Sequence, residues 1–376
     1  MPTHLPYSLR FRLSGARKYD LAKEESASGF LFSSFLQRND TRVWRWPRTH
    51  AMHEGHAIDI LRARRSGNLM PSSCTTCLHE SDPVMTCHVT LVHRTSYRYD
   101  RPVFLGPQTI RLRPDAACRT PIVSYEMDIL PSGHRRTWRQ DDFGNHEARV
   151  TFEDRVTRFD IAIRLTADLS PINPFDLSLC ETGRRWPVTY TPAQARGLAA
   201  FMAPLPAGPH LRAFLAEVAR LEHGGTLDRL VAINRLVAAR IAYRTRMEAG
   251  VWSAEETLGQ RTGSCRDSAW LLIQVLRHMG MAARFVSGYL IQDGADGTTG
   301  DLHAWVETWL PGAGWVGFDT TSGLLTSQGH IALAAAVRPD QVAPVTGMLD
   351  NCTATLDVSM TIHHPVDADV KKDSRT

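Results

Sequence analysis

A strong helical pattern of apolar residues begins directly after Cys265. Its apolar positions have the i, i+3, i+4, i+7 spacing of a helix with one face in a core: Ala269, Leu272, Ile273 and Leu276. Gly263 and Ser264 form a turn and an N-cap before this pattern, and Gly280 ends it. Cys265 therefore falls in the first turn of a helix, where unpaired backbone N–H groups and the helix dipole favour an anion such as a thiolate.

Elsewhere the pattern divides the chain into a strand-rich and a helix-rich region. Residues 86–167 alternate between apolar and polar in many short runs separated by turns, which is typical of an antiparallel sandwich. After a proline-bearing connection, helical spacing predicts helices over 193–202, 211–221 and 227–242. These patterns predict an α+β protein in which an N-terminal antiparallel β-sandwich is followed by helices packed on an antiparallel sheet.

Two strands of that second sheet carry polar residues of interest. An alternating strand that contains His303 is followed, after a Pro-Gly turn, by a second strand that ends at Asp319. A three-residue loop over 310–312 would place Asp319 directly opposite His303. A loop over 311–313 would make the two residues diagonal neighbours on one face, whereas a loop of two or four residues would put them on opposite faces.

The same patterns give expected boundaries for the chain. Residues 1–84 contain short apolar clusters without a regular period, and Met85 stands directly before the first convincing strand as an alternative start. We expect a mostly disordered extension at 1–84, the sandwich at 85–170, a linker at 171–192, helices and sheet at 193–362, and a disordered tail at 363–376. Within the second region we expect a flexible loop at 292–300 and closing strands at 329–337 and 356–362.

Cys265, His303 and Asp319 supply the groups of a nucleophilic triad. In such a triad a thiolate attacks a carbonyl carbon, an imidazole carries the proton to the leaving group, and a carboxylate fixes the tautomer of the imidazole. Backbone N–H groups at the helix start would meet the oxyanion, and the indole of Trp252 is a candidate second donor. Trp305 shares the His303 face and is a candidate wall of the substrate channel, with core packing as the alternative for both tryptophans.

Four blocks in this order resemble the core of the transglutaminase-like superfamily: 263–269, 284–290, 303–307 and 314–321. The strand-rich region resembles the N-terminal region of bacterial transglutaminase-like proteins. The resemblance implies a papain-like or transglutaminase-like core and matches Cys265, His303 and Asp319 to the Cys-His-Asp triad of that family. One departure adjoins the triad, because Thr320 follows Asp319 where the family usually has proline.

Composition and charge narrow the classes of partner. The composition is globular, with 43% hydrophobic and 22% charged residues. The net charge of +4 resides in residues 1–84, which hold 12 basic residues (Lys and Arg) and 8 acidic residues (Asp and Glu). The remaining residues hold 31 basic and 31 acidic residues and have no net charge. We therefore expect no nucleic-acid partner. We expect no secretory signal, and because the sequence has no apolar run of ~20 residues we expect no membrane contact.

The cysteines predict neither a disulfide framework nor a metal site. Seven cysteines are odd in number and mostly far apart, which fits a reducing cytoplasm. Cys74, Cys77 and His79, followed by Cys87 and His88, have part of the spacing of a zinc knuckle, but the second pair is adjacent and lies in an expected strand. We expect no metal and no other cofactor.

Together these observations predict an enzyme that transfers the acyl group of a peptide or protein amide through a thioester. It is a protease or amidase if water accepts the acyl group and a transglutaminase-like enzyme if an amine does, and hydrolysis is favoured over cross-linking. Two alternatives stay open. One is a catalytically silent binding or assembly module, and the other is a zinc enzyme with Cys265 and His303 as ligands, although neither element carries a second ligand.

Overall fold

Helices and antiparallel sheets occupy separate parts of this protein. The computed structural model describes residues 9–12, 87–222, 224–246, 248–294 and 297–364. Within them, strands dominate up to residue 168 and helices dominate from 181 to 278, after which a second group of strands follows. The predicted α+β class is confirmed.

The N-terminal region is a sandwich of two antiparallel sheets. The first sheet has the order β1-β16-β2-β7-β4, with β1 at Leu9–Arg12, β2 at His88–Val103, β4 at Ile122–Leu130, β7 at Val156–Asp168 and β16 at Thr353–His363. The second has the order β15-β3-β6-β5, with β3 at Gln108–Ile110, β5 at Arg135–Gln140, β6 at His146–Thr151 and β15 at Val345–Thr346. Their facing apolar residues form one core, which includes Leu91, Ile161, Ile110 and Val150.

Strand β1 is the part of 1–84 that the structure describes, and the sequence predicts that 1–84 is mostly disordered. Its four residues alternate Leu-Arg-Phe-Arg, a strand pattern, and they pair with 353–356 of β16. The rest of the predicted extension lies outside the described residues, including Cys74, Cys77 and His79 of the partial zinc spacing, and so does the tail from 365. The described members of that spacing, Cys87 and His88, lie at the beginning of β2.

Six α-helices lie between the sandwich and the second sheet in the part of the chain that the structure describes. They are α1 at Glu181–Arg184, α2 at Pro192–Met202, α3 at Pro209–Ala219, α4 at Thr226–Arg240, α5 at Ala254–Gln260 and α6 at Cys265–His278. The three predicted upstream helices correspond to α2, α3 and α4 within two residues at each end. Thr191 caps α2 by accepting a hydrogen bond from the Gln194 N–H, at 3.3 Å.

Helix α6 is buried on all sides, whereas the apolar spacing predicts only one buried face. Every residue from Cys265 to Arg277 is buried. The polar members are tolerated because they are hydrogen-bonded: Gln274 accepts from the Leu205 N–H, and the Arg277 guanidinium donates to the carbonyls of Ala283 and Val337. The helix therefore runs through the centre of the second core, among α3, α4, α5 and the sheet behind it.

The sheet behind α6 has the order β13-β12-β11-β10-β14. Its strands are β10 at Ala283–Gly294, β11 at Gly297–Leu310, β12 at Gly314–Asp319, β13 at Leu324–Leu325 and β14 at His330–Ala336. A short parallel pair, β8 at Ala242–Tyr243 and β9 at Thr262–Gly263, lies just ahead of α6. Asn145 joins the sandwich to this sheet, because its amide exchanges two hydrogen bonds with the backbone of Ala335 in β14.

The segment 292–300, where a loop is expected, belongs to a hairpin in which β10 and β11 stay paired as far as Gly294 and Gly297. A Cβ at Gly300 would come within 2.8 Å of the Cδ1 of Ile362, so a larger residue there would displace the end of that side chain. Of the two expected closing strands, β14 pairs with β10, but β16 pairs with β2 and completes the sandwich.

Among the described residues, no helix combines the length and the apolar character required to span a membrane.

Candidate active site

The beginning of α6 is fixed by the side chain of Asp267. The carboxylate accepts hydrogen bonds from the Ser264 N–H at 2.9 Å and from the Ser264 hydroxyl at 2.7 Å, which closes the turn directly before Cys265. Cys265 is the first residue of the helix and is 5% exposed. Its thiol therefore lies at the positive end of the helix dipole, where the sequence pattern places it.

A buried ion pair holds the loop that precedes this turn. The Arg246 guanidinium donates to both oxygens of Asp267, at 2.9 and 3.1 Å, and the backbone N–H of Trp252 donates to the same carboxylate at 2.9 Å. Burial alone raises the pKa of Asp267, but Arg246 and the backbone donors outweigh burial and hold that pKa below its usual range. Arg266 adds a hydrogen bond to the Gly250 carbonyl at 2.8 Å. The segment from Arg246 to Trp252 is thereby clamped against the base of the nucleophile helix.

The register of β11 and β12 brings His303 and Asp319 together. Leu310 pairs with Gly314, so the connecting loop comprises the three residues 311–313. This is the diagonal arrangement among those that the sequence allows, with both side chains on one face. His303 Nε2 lies 3.1 Å from Asp319 Oδ1.

The His303 ring lies between the carboxylate and the thiol. Because Nε2 faces Asp319, Nδ1 is the ring nitrogen that remains for Cys265. Burial alone lowers the pKa of His303, but the charge of Asp319, the charge of Cys265 and the hydrogen bonds to both hold that pKa well above its usual range.

Asp319 is surrounded by donors. Its Oδ1 accepts from the Thr321 N–H at 2.8 Å, and its Oδ2 accepts from the Ser322 hydroxyl at 3.0 Å. His330 Nε2 faces Oδ2 at 3.5 Å. Burial raises the pKa of Asp319, but His303 first and His330 second hold it well below its usual range. The carboxylate is therefore ionised and has a hydrogen-bond donor on each oxygen.

The residue after Asp319 ties the triad region to two helices. The Thr320 hydroxyl lies 2.8 Å from the Ser268 hydroxyl of α6, and the Asn234 side chain of α4 donates to the Asp319 carbonyl at 3.1 Å. Thr320 therefore supplies a side-chain hydrogen bond at the position where the resembling family usually has proline. Asn234 has the structural role that its place on a buried helix face indicates.

Trp305 packs behind the triad and does not line an open channel. It is 1% exposed. Its ring lies nearly parallel to that of His303, with centroids 6.4 Å apart, and it meets His330 edge-on at 5.3 Å. Gly288 pairs with His303 and leaves room for the indole, since a Cβ there would come within 2.3 Å of it. This burial fits core packing, the alternative that the sequence also allows, and the role of Trp305 as a substrate wall stays a prediction.

Trp252 is half-buried, and the Arg246 guanidinium lies over its ring at 4.4 Å. These contacts place the tryptophan in the clamp that supports α6. Its assignment as an oxyanion donor stays a prediction.

Tyr243 is a neighbour of the nucleophile that sequence reasoning missed. It pairs with Gly263 through the short parallel strands, and its side chain is 54% exposed. Partial desolvation, followed by negative charge at Cys265 and Asp301, raises the pKa of Tyr243. An exposed phenol near the thiol is suited to contact a substrate. The only sequence signal was a lone tyrosine at the end of a helix pattern.

His330 is the second residue that sequence reasoning missed. It begins β14, an edge strand, whereas Asp319 ends β12, and β10 and β11 lie between these two strands in the sheet. No local sequence pattern predicts a contact between them. His303, Asp319 and His330 each offer one potential metal-ligand atom, and these atoms lie within 4.8 Å of one another. Imidazole nitrogen and carboxylate oxygen are donors that zinc accepts.

A cysteine at the start of a central helix, next to a histidine and an aspartate on an antiparallel sheet, defines the transglutaminase-like class of fold. Residues 212–320 match the family model of the transglutaminase-like superfamily, and residues 89–168 match the bacterial transglutaminase-like N-terminal region. The chain therefore carries a transglutaminase-like core behind a bacterial transglutaminase-like N-terminal region. The resemblance predicted from sequence is confirmed.

Two mycobacterial proteins each match this chain over 288 residues. An uncharacterized protein of Mycobacterium leprae is 27% identical over 288 residues, which cover 72% of this chain and 97% of the relative. An uncharacterized protein of Mycobacterium tuberculosis is 28% identical over 288 residues, covering 72% of this chain and 91% of the relative. Among solved structures, a candidate cysteine protease from Cytophaga hutchinsonii superimposes with a TM-score of 0.56 at 17% identity, covering 75% of this chain and 91% of that one. This likeness supports the fold.

Proposed function

We propose that this protein transfers acyl groups from amide bonds of peptides or proteins by means of the Cys265 thiol. The observation that carries the proposal is the buried His303 ring, with Nε2 3.1 Å from Asp319 and Nδ1 left for Cys265. A transglutaminase-like core supports a cysteine-dependent activity in general. The assignment of the three side chains to catalysis and the choice of an amide substrate are part of the proposal.

In the proposed reaction, the Cys265 proton moves to His303 Nδ1 and the thiolate sulfur attacks the amide carbonyl carbon. The oxyanion accepts hydrogen bonds from backbone N–H groups at the start of α6. The imidazolium returns its proton to the leaving nitrogen, the C–N bond breaks, and a thioester remains on Cys265. Water or an amine then attacks the thioester while His303 takes its proton, and the thiol reforms as the C–S bond breaks. Asp319 holds the Nε2 proton throughout.

The acceptor of the acyl group separates a hydrolase from a transglutaminase. We propose that water is the usual acceptor, so the protein acts as a protease or amidase. The test is the partition of an acyl-enzyme formed from an activated ester, with a primary amine added at increasing concentration. Mostly free acid at millimolar amine supports hydrolysis, and mostly amide product supports cross-linking.

The test of the thiol itself uses an acyl electrophile whose site of attachment is read by peptide mass spectrometry. We expect acylation of Cys265 to depend on His303, so that His303→Ala reduces its rate at least about a hundredfold. Cys180 is an internal control, because it is exposed and its thiol lies 3.1 Å from the Thr182 hydroxyl, far from the triad in sequence. Its acylation rate should be the same in both proteins. Equal acylation of Cys265 in the two proteins contradicts the proposal.

A zinc enzyme is the second candidate, because His303, Asp319 and His330 place three ligand atoms within 4.8 Å. The first candidate is preferred because His303 and Asp319 already satisfy each other and leave Nδ1 for the thiol. Metal analysis of protein purified without chelators distinguishes them, since one zinc per chain that is lost in His330→Ala would favour the metal site. A cytoplasmic location, which the free cysteines suggest, is likewise a proposal that cell fractionation tests.

A further inference from the structure

His330 is a buried histidine that the proposed reaction does not use. It begins β14, and its side chain is only 8% exposed. The backbone N–H of Ser327 donates to its Nδ1 at 3.1 Å. Because Nδ1 accepts a hydrogen bond, the proton of a neutral His330 ring lies on Nε2.

That Nε2–H is directed at the triad carboxylate. It faces Asp319 Oδ2 at 3.5 Å, and the described residues give it no ordinary hydrogen-bond partner. Oδ2 also accepts from the Ser322 hydroxyl at 3.0 Å, and the other oxygen, Oδ1, is occupied by His303 and by the Thr321 N–H. Asp319 thus lies between two imidazoles, one on each oxygen.

The ring of His330 is fixed by its surroundings. Trp305 meets it edge-on, at 87° and 5.3 Å, while the same indole lies at 29° to the His303 ring. The centroids of the two imidazoles are 6.1 Å apart. Trp305 therefore contacts both histidine rings, and the three ring centroids form a triangle with sides of 5.3, 6.1 and 6.4 Å.

We propose that His330 is a positioning residue that turns Asp319 so that Oδ1 meets His303, by donating its Nε2–H to Oδ2. The proposal rests on the proposed function, because the orientation matters only if His303 activates Cys265. At 3.5 Å the contact is longer than an ordinary N–H···O hydrogen bond. Active-site hydrogen bonds often shorten once substrate is bound, and a small rotation of the carboxylate would suffice here.

Two amide substitutions separate this role from a purely structural one. His330→Gln can place an amide N–H where Nε2 lies and loses the acceptor at Nδ1. His330→Asn keeps an acceptor for the Ser327 N–H and loses the donor to Asp319. We expect His330→Gln to acylate Cys265 within about threefold of wild type and His330→Asn to be about tenfold slower, the lower end of what a hydrogen bond to a charged group contributes.

A structural role of His330 predicts a different order. If the ring only supports the 327–330 turn, His330→Asn resembles wild type and His330→Gln is impaired, and this result overturns the proposal. Equal impairment of both variants, in step with a fall in melting temperature, also overturns it. Zinc bound to wild type and lost from both variants overturns it as well, because His330 would then be a ligand.

A second measurement does not depend on turnover. The Nε2–H of His303, hydrogen-bonded to a buried carboxylate, should give a low-field proton resonance in the NMR spectrum of the full chain. We expect the resonance to persist in His330→Gln and to move upfield or vanish in His330→Asn. If Cys265 of wild type proves unreactive, the proposed function fails while this resonance still tests the geometry, and an unchanged resonance in both variants contradicts the positioning role.

Discussion

Two buried histidines lie next to neighbouring residues of β10, and their pKa values are shifted in opposite directions. His93 of the sandwich is 1% exposed, and its ring nitrogens lie 2.8 Å from the hydroxyls of Tyr289 and Thr95. Burial lowers the pKa of His93 to about 3. His303 is 6% exposed and pairs with Gly288, the residue before Tyr289, yet its pKa is well above the usual range. The partners differ, since hydroxyls carry no charge and Asp319 does.

Burial therefore does not decide the chemistry of either ring. The same penalty for a charged imidazole acts on both, and a carboxylate at 3.1 Å outweighs it at only one of them. The hydroxyl-bonded His93 joins the sandwich to the second sheet as a neutral group. His303 is held ready to give and take a proton.

Removing the charge of Asp319 should make His303 resemble His93. Asp319→Asn leaves burial as the main influence on the ring, so the imidazolium is no longer favoured and the thiol loses its partner. We expect the acylation rate of Cys265 to fall about 10²- to 10⁴-fold, as for the loss of a triad carboxylate elsewhere. The rate is measured by peptide mass spectrometry against Asp340→Asn, an exposed carboxylate. A rate within threefold of wild type would show that the carboxylate does not govern the ring.

Arg246 and Asp267 form a buried ion pair at the beginning of α6. Asp267→Asn leaves the Arg246 guanidinium buried and without its counter-charge, and we expect a loss of about 3–5 kcal/mol in the free energy of unfolding. Denaturant titration measures this loss. Glu248→Gln serves as control, because Glu248 contacts the same arginine but is 65% exposed, and it should cost less than about 1 kcal/mol.

His93 should make the fold sensitive to acid. Its folded pKa of about 3 lies below the unfolded value of 6.5, so below pH 6.5 the unfolded chain binds a proton that the folded chain does not. Stability is lost as pH falls from 6.5 towards 3, by up to roughly 1.4 kcal/mol per pH unit. Relative to wild type, His93→Gln should gain about 2 kcal/mol in unfolding free energy between pH 7 and pH 5. A constant difference between the two proteins would mean that His93 is protonated when folded.

His303 has the opposite linkage. Because its folded pKa is raised, its contribution to stability is complete below the unfolded value of 6.5 and is lost as pH rises through the folded pKa. The His93→Gln experiment should therefore be done in a His303-intact protein, where the two dependences do not overlap in the acid range.

Substitution of Tyr243, whose side chain is exposed near Cys265, should change the acylation rate less than the substitutions above. Tyr243→Phe removes the hydroxyl and keeps the ring, so the melting temperature should stay the same. We expect peptide-based acyl probes to react about threefold more slowly, in line with one neutral hydrogen bond, and iodoacetamide to react at an unchanged rate. Equal slowing of both reagents would assign Tyr243 to the thiol itself instead of to the substrate.

Much of the site follows from local sequence, and its surroundings do not. Cys265 at a helix start follows from the apolar period, which is a local property. The loop between the two strands limits His303 and Asp319 to a few registers, of which the structure has the diagonal one. The burial of Trp305 and the position of His330 depend on packing between strands that are distant in sequence, so no window of residues contains them. The fate of β16 was missed for the same reason, because an alternating strand does not specify which sheet it joins.

Strands β15 and β16 have a consequence for how the protein is made. Each sheet of the sandwich receives a strand from residues 345–363, near the end of the described chain, while the whole second sheet lies between in sequence. During synthesis, β2 lacks one of its neighbours until the ribosome has released residue 363. A fragment cut at the 171–192 connection would leave both pieces with unpaired edges, so the sandwich and the thiol-bearing half should mature together or not at all.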